Sequence, residues 1–232
     1  MRWLILALTL LLAACSVAVS TPQASAPASA SLAAPGVRGF AEVARAVQPV
    51  AASECRRRTR GVNCDFLVVI DPDRGAAPNA FQSLDETGRP VLTFTATLID
   101  STRNMDELAF ILSHEAAHHI AGHLIRRKQN AAAGAAVFAG LATLTGGSAA
   151  DVASAQRLGA VVGARSYSKE FELEADELGT LITHLAGYNP LIGANFFTVL
   201  ADPGDRFLGT HPPNAARLDA VRRASARLGI SG

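Results

Sequence analysis

The sequence predicts an α+β fold, mainly helical, with a small antiparallel sheet beside the helix that is richest in histidine. Three observations predict it. The strand-like stretches are short and all precede residue 100. Everything after Asn104 repeats its apolar residues at helical rather than alternating spacing. The 232 residues are 49% hydrophobic and only 18% charged, enough apolar material for one well-buried domain.

The chain opens with "MRWLILALTLLLAACS": a basic Arg2, an apolar run from Trp3 to Leu12 and small residues before Cys15. That is the anatomy of an export signal and is too short to span a bilayer comfortably. Leu12-Ala13-Ala14-Cys15 resembles the bacterial lipobox, which implies cleavage after residue 14 and lipid attachment to Cys15. Residues 15–36 then form an Ala/Ser/Pro tether with too little apolar surface to fold. A single domain is expected over 37–232.

Within it, Phe40, Val43, Ala44 and Val47 mark an opening amphipathic helix. "CDFLVVID" (64–71), "PNAFQ" (78–82) and "PVLTFTATL" (90–98) read as strands between turn formers. Cys55 and Cys64, an even pair in an exported chain, are expected to bond. "MDELAFILSHEAAHHIAGHLIRRK" (105–128) reads as one long helix with Asp106 and Glu107 at its positive end. The glycine-rich apolar stretch 131–147 sits at the lower limit for a membrane span and is read as a buried or interfacial helix. A net charge of +1 gives no electrostatic footprint for nucleic acid, and the clusters "CRRRTR" and "IRRK" are short enough to be solvated surface.

"SHEAAHHIAGH" (113–123) holds four of the six histidines. On a helix His114 and His118 share one face, so their imidazoles can converge on one ion. Zinc suits two nitrogens plus an oxygen, and Glu115 beside the first ligand is placed to act as general base. A third ligand is required. His123, five residues past His118, falls away from the shared face, and Leu124 stands where a metzincin would carry histidine. The remaining source is "SKEFELEADELG" (168–179), where Glu172 and Asp176 are one turn apart; one can ligate while the other orients a histidine ring. His119 and His123 are assigned to helix packing or surface, and His184 to a structural role.

His114-Glu115-x-x-His118, then Glu172-x-x-Ala175-Asp176-x-x-Gly179, then "THPP" (210–213) with Arg217 together resemble metallopeptidase family 48. This is the family of the CAAX prenyl endoprotease and the heat-shock protease HtpX. "PNAF" (78–81) and "AGYNP" (186–190) match it as well. The resemblance implies a zincin-like (gluzincin) domain with one zinc per chain, bound by His114, His118 and Glu172. It selects Glu172 over Glu174 and gives Glu115 the role of base and proton shuttle. Asp176 then supports a ligand, and His211 stabilises the oxyanion or fills the open zinc position at rest, backed by Arg217. The strand carrying Asn79, Ala80 and Phe81 becomes the edge that binds substrate by strand addition.

The sequence lacks the long hydrophobic spans of the integral members, which removes an intramembrane chamber and prenylated substrates. It is most similar to the small periplasmic lipoprotein branch. The expected function is therefore a zinc endopeptidase anchored in the bacterial envelope, on the outer membrane, acting on misfolded or misassembled envelope proteins. The alternatives are a catalytically silent client-binding module of the same fold and a zinc hydrolase of cell-wall peptides.

Overall fold

The computed structural model describes residues 36–206, 209 and 211–231. The expected leader, the lipidation site Cys15 and the tether up to residue 35 lie outside the described residues. Helix α1 (Gly36–Arg58) turns Phe40, Val43, Val47, Ala51 and Cys55 inward at successive helical turns, and all five are buried. Its end is bonded covalently to the chain ahead of the sheet, Cys55 to Cys64, with Cα atoms 5.7 Å apart.

The sheet comprises β1 (Leu67–Asp71), β2 (Ala80–Leu84) and β3 (Pro90–Thr95), in the order β1-β3-β2. The expectation of an antiparallel sheet is corrected here. β2 and β3 pair antiparallel, but β1 and β3 pair parallel, so the sheet is mixed. After two chain reversals β3 runs in the direction of β1 again, and it settles between the other two strands. The central place suits it: Leu92 and Phe94 are buried, whereas β1 and β2 remain half-exposed. Asp85 fixes the β2–β3 turn by accepting the Thr87 and Arg89 backbone N–H groups, with Gly88 in the left-handed region at φ 79°.

A second correction concerns "PVLTFTATL". The strand stops at Thr95, whose hydroxyl accepts the Leu98 N–H and caps the short helix α2 (Ala96–Ser101). Helix α3 (Met105–Ile120) follows, capped by Asn104 on the Glu107 N–H, and it threads the centre of the domain with nearly all its residues buried. That explains a sequence apolar almost all round.

A third difference lies at residue 122. The long helix expected over 105–128 breaks there, because Gly122 adopts φ 69° and ends α3 as a left-handed cap. Helix α4 (His123–Leu144) leaves in a new direction and pairs with α5 (Ala149–Arg165). The 131–147 stretch lies mainly in α4, where only His123 is buried, so it is not part of the core. No helix among the described residues is long and apolar enough to cross a membrane. Helix α6 (Ser168–Leu185) returns to pack along α3, and α7 (Pro190–Gly193), a 3-10 turn (Ala194–Thr198) and α8 (Asn214–Arg227) close that side.

Candidate metal centre

Helix α3 presents His114 and His118 from consecutive turns, and α6 brings Glu172 against them. The approach of the two helices depends on a glycine: a Cβ at Gly179 would sit 3.1 Å from the His114 nitrogen. His114 Nε2 lies 3.0 Å from His118 Nε2 and 3.6 Å from Glu172 Oε2, and His118 Nε2 lies 3.3 Å from Glu172 Oε1. Ligands about 2.0–2.1 Å from a tetrahedral zinc stand about 3.3 Å from one another, so these separations fit one such ion. The three ligand atoms all fall within 4.8 Å of each other.

The ring orientations fit as well. His114 Nδ1 donates to Asp176 Oδ1 at 2.9 Å, which turns Nε2 toward His118 and Glu172. Asp176 is held in turn by Arg217, whose Nε and Nη2 donate to its two oxygens at 2.8 and 2.7 Å. The Arg217 guanidinium lies over the Phe197 ring at 4.0 Å and reaches to 3.4 Å from Glu172. Burial disfavours its charge, but Asp176, Glu172 and Glu115 outweigh that and push its pKa up.

His118 has a partner that helical spacing did not reveal. The break at Gly122 swings His123 back, so that the two Nδ1 atoms meet at 2.8 Å. His123 Nε2 lies 3.1 Å from Glu174 Oε2 and must donate, since a carboxylate only accepts. Burial, offset only in part by that contact, pushes the His123 pKa down to about 4, so the ring is neutral. Its Nδ1 is therefore an acceptor. It accepts a hydrogen bond from the His118 Nδ1–H, which turns His118 Nε2 toward His114 and Glu172. Glu174, the rival ligand in the sequence, is thus assigned elsewhere: it anchors His123 and pairs with Arg126 at 2.7 Å. His123 stacks on Phe171, with centroids 4.6 Å apart, and Arg126 lies 4.3 Å from that same ring. The one available signal for this role was Gly122 itself, a typical helix terminator.

In the metal-free site, burial opposes the charged form of His114, but the hydrogen bonds to Asp176 and Glu172 outweigh it and raise its pKa to about 9. Glu172 is also penalised by burial, yet His114, His118 and His211 hold its pKa well below the usual carboxylate range.

The remaining histidines separate cleanly. His211 Nδ1 stands 3.1 Å from Glu172 Oε2 with its side chain half-exposed, at the open side of the cluster. His119 points the other way: its Nε2 donates to the Asn63 carbonyl at 2.7 Å and its ring meets Phe66 edge-on. His184 is exposed in the last turn of α6.

Glu115, His114, His118, Glu172, His211 and Arg217 all line one cleft of about 640 Å³. Asn79, Ala80 and Phe81 form another wall, so the β2 end of the sheet borders the candidate ligands. Among the described residues β2 pairs only with β3, which leaves its other edge toward the cleft without a strand partner. A largely buried His-His-Glu cluster, the Glu115 carboxylate in the same cleft and an open strand edge suit metal-assisted hydrolysis of an extended chain.

Comparison with known proteins agrees with that arrangement. No curated protein matches the chain. The sequence model described as Peptidase family M48, by contrast, matches residues 39–225, a span that contains every residue of the cluster. On that match, which covers most of its length, the chain belongs to peptidase family M48, a family of zinc metallopeptidases.

Proposed function

We propose that the protein is a zinc-dependent endopeptidase, held to the bacterial cell envelope by a lipid on Cys15, that hydrolyses misfolded or misassembled envelope polypeptides. One observation carries the catalytic part. The two imidazole Nε2 atoms and the Glu172 carboxylate oxygens converge at 3.0–3.6 Å, and each ring is turned that way by the hydrogen bond of its Nδ1. The envelope part rests on the lipobox-like opening and is supported by the Cys55–Cys64 bond, which belongs to oxidising compartments.

Zinc held by His114, His118 and Glu172 would supply Lewis-acid polarisation of a water molecule and of the scissile carbonyl. Around it, each residue has a distinct task. The substrate lies extended along β2, its main chain pairing with the edge near Ala80 and Phe81. Glu115 takes the proton of the attacking water and returns it to the leaving amine nitrogen. His211, on the open side, donates to the developing oxyanion. Asp176 with Arg217 fixes the His114 ring, and His123 with Glu174 fixes the His118 ring, so neither needs to reorganise during turnover.

Glu115→Gln keeps the shape and the ligands while removing the base. It should reduce cleavage of casein by at least about 100-fold with zinc content unchanged, measured by peptide release and by metal analysis of the same sample. Full activity in that variant would sink the assignment. An inactive wild type, paired with rescue of a deletion strain by Glu115→Gln, would favour a client-binding role instead.

A further inference from the structure

Beyond its base, where His123 and Arg126 serve the site, the α4–α5 hairpin takes no part in the chemistry described above. α4 buries only His123 and α5 only Gly159, so outside its base the pair stands away from the domain. The two helices are held together by glycines. A Cβ at Gly134 would strike the Gly159 carbonyl and one at Gly163 the Asn130 carbonyl. Their outer surface is apolar. Val137, Leu141 and Leu144 recur at helical spacing on α4, with Leu144 87% exposed, and Leu158 and Val161 are exposed on α5. Between Lys128 and Arg165 the only charges are Asp151 and Arg157.

Two further observations say what covers this surface. The cations gather at one end: Arg127 and Lys128 open α4, Arg165 closes α5, all are exposed, and the antiparallel pairing puts them together at the base. The polar groups of the far end lie at the surface but bond within the hairpin. Thr143 and Thr145 donate to the Ala139 and Leu141 carbonyls, and Ser154 donates to Ala150. The N–H groups of Thr145, Gly146 and Gly147 find carbonyls within the turn, and Ser148 gives both its N–H and its hydroxyl to Asp151. Water would satisfy such groups without help, whereas a lipid cannot.

We propose that the hairpin is a membrane-contacting element that lies in the interface of an anionic bilayer. The Val137–Leu141–Leu144 stripe enters the acyl boundary, and Arg127, Lys128 and Arg165 meet lipid phosphates. Asp151 and Arg157 stay at headgroup level, so the element dips and does not span. A second copy packed side by side would instead bring the same cations together. This goes beyond the peptidase reading and does not depend on it.

The test uses the full chain carrying Cys15→Ser, in which Cys55 and Cys64 are bonded to each other. Leu141→Cys then supplies the single free thiol for a nitrobenzoxadiazole fluorophore. On vesicles of phosphatidylethanolamine and phosphatidylglycerol the emission should shift to the blue and rise severalfold, and spin-labelled acyl chains but not aqueous iodide should quench it. The same fluorophore at Thr87→Cys, on the β2–β3 turn, should stay iodide-accessible. An unshifted, iodide-quenched label at position 141 would overturn the proposal. So would a shift that develops with protein concentration in the absence of lipid, which would mark self-association.

Discussion

His123 is the residue whose role depended most on three dimensions. Read along a continuous helix it lies off the ligand face; the left-handed Gly122 returns it to Nδ1–Nδ1 contact with His118. His123→Phe keeps the stacking on Phe171 but removes the acceptor for the His118 proton. It should weaken zinc binding about 10- to 100-fold, measured by competition with a chromophoric chelator, whereas His119→Gln should leave the affinity unchanged. The His114 pKa makes a second prediction. A metal needs the neutral Nε2, and the metal-free ring keeps its extra proton up to a pH of about 9. Zinc affinity should therefore fall about tenfold per pH unit below that value, with close to one proton released per ion, as isothermal titrations in buffers of different ionisation heat would count. The metal-free fold follows the opposite sign. Its His114 contribution is full below the ordinary value of 6.5 and is lost as pH rises through about 9.

Among the elements, α3 and α6 matter most, and their closeness hangs on a single hydrogen-sized side chain. Gly179→Ala forces a Cβ to 3.1 and 3.2 Å from the His114 backbone. It should destabilise the domain by about 1–3 kcal/mol in urea unfolding and lower zinc affinity with it. Gly140→Ala in α4 meets nothing within 4 Å and should instead stabilise by up to about 1 kcal/mol. The two helices were legible in the sequence because paired functional residues one turn apart, His114 with His118 and Glu172 with Asp176, are a local signal. The sheet was legible only in its strands. That β3 inserts between β1 and β2 depends on which strand buries most, and no local spacing encodes it. The end of β3 was misread because Phe94, Thr95 and Leu98 suit a strand by type, while the Thr95 hydroxyl caps a helix.

At the scale of the molecule, the Cys55–Cys64 bond ties the end of α1 to the loop that receives His119 from the foot of α3. Reduction by a phosphine should lower unfolding stability by roughly 2–3 kcal/mol through the loop entropy it releases, read as a shift of the urea midpoint with and without reductant. The hairpin was legible only in part: its apolar composition leaves residues 131–147 open between a buried and an interfacial helix, and only the fold shows that little of the domain covers it. Its geometry also bears on how the chain finds its fold. The two helices that carry the candidate ligands are separated by everything from Ala121 to Tyr167, a costly loop to close at random. Contacts between neighbours in sequence can zip α4 onto α5 first, delivering Ser168 next to where α3 ended. The search for the α3–α6 pairing then becomes nearly local, and a site assembled from distant residues can form at the speed of a short-range one.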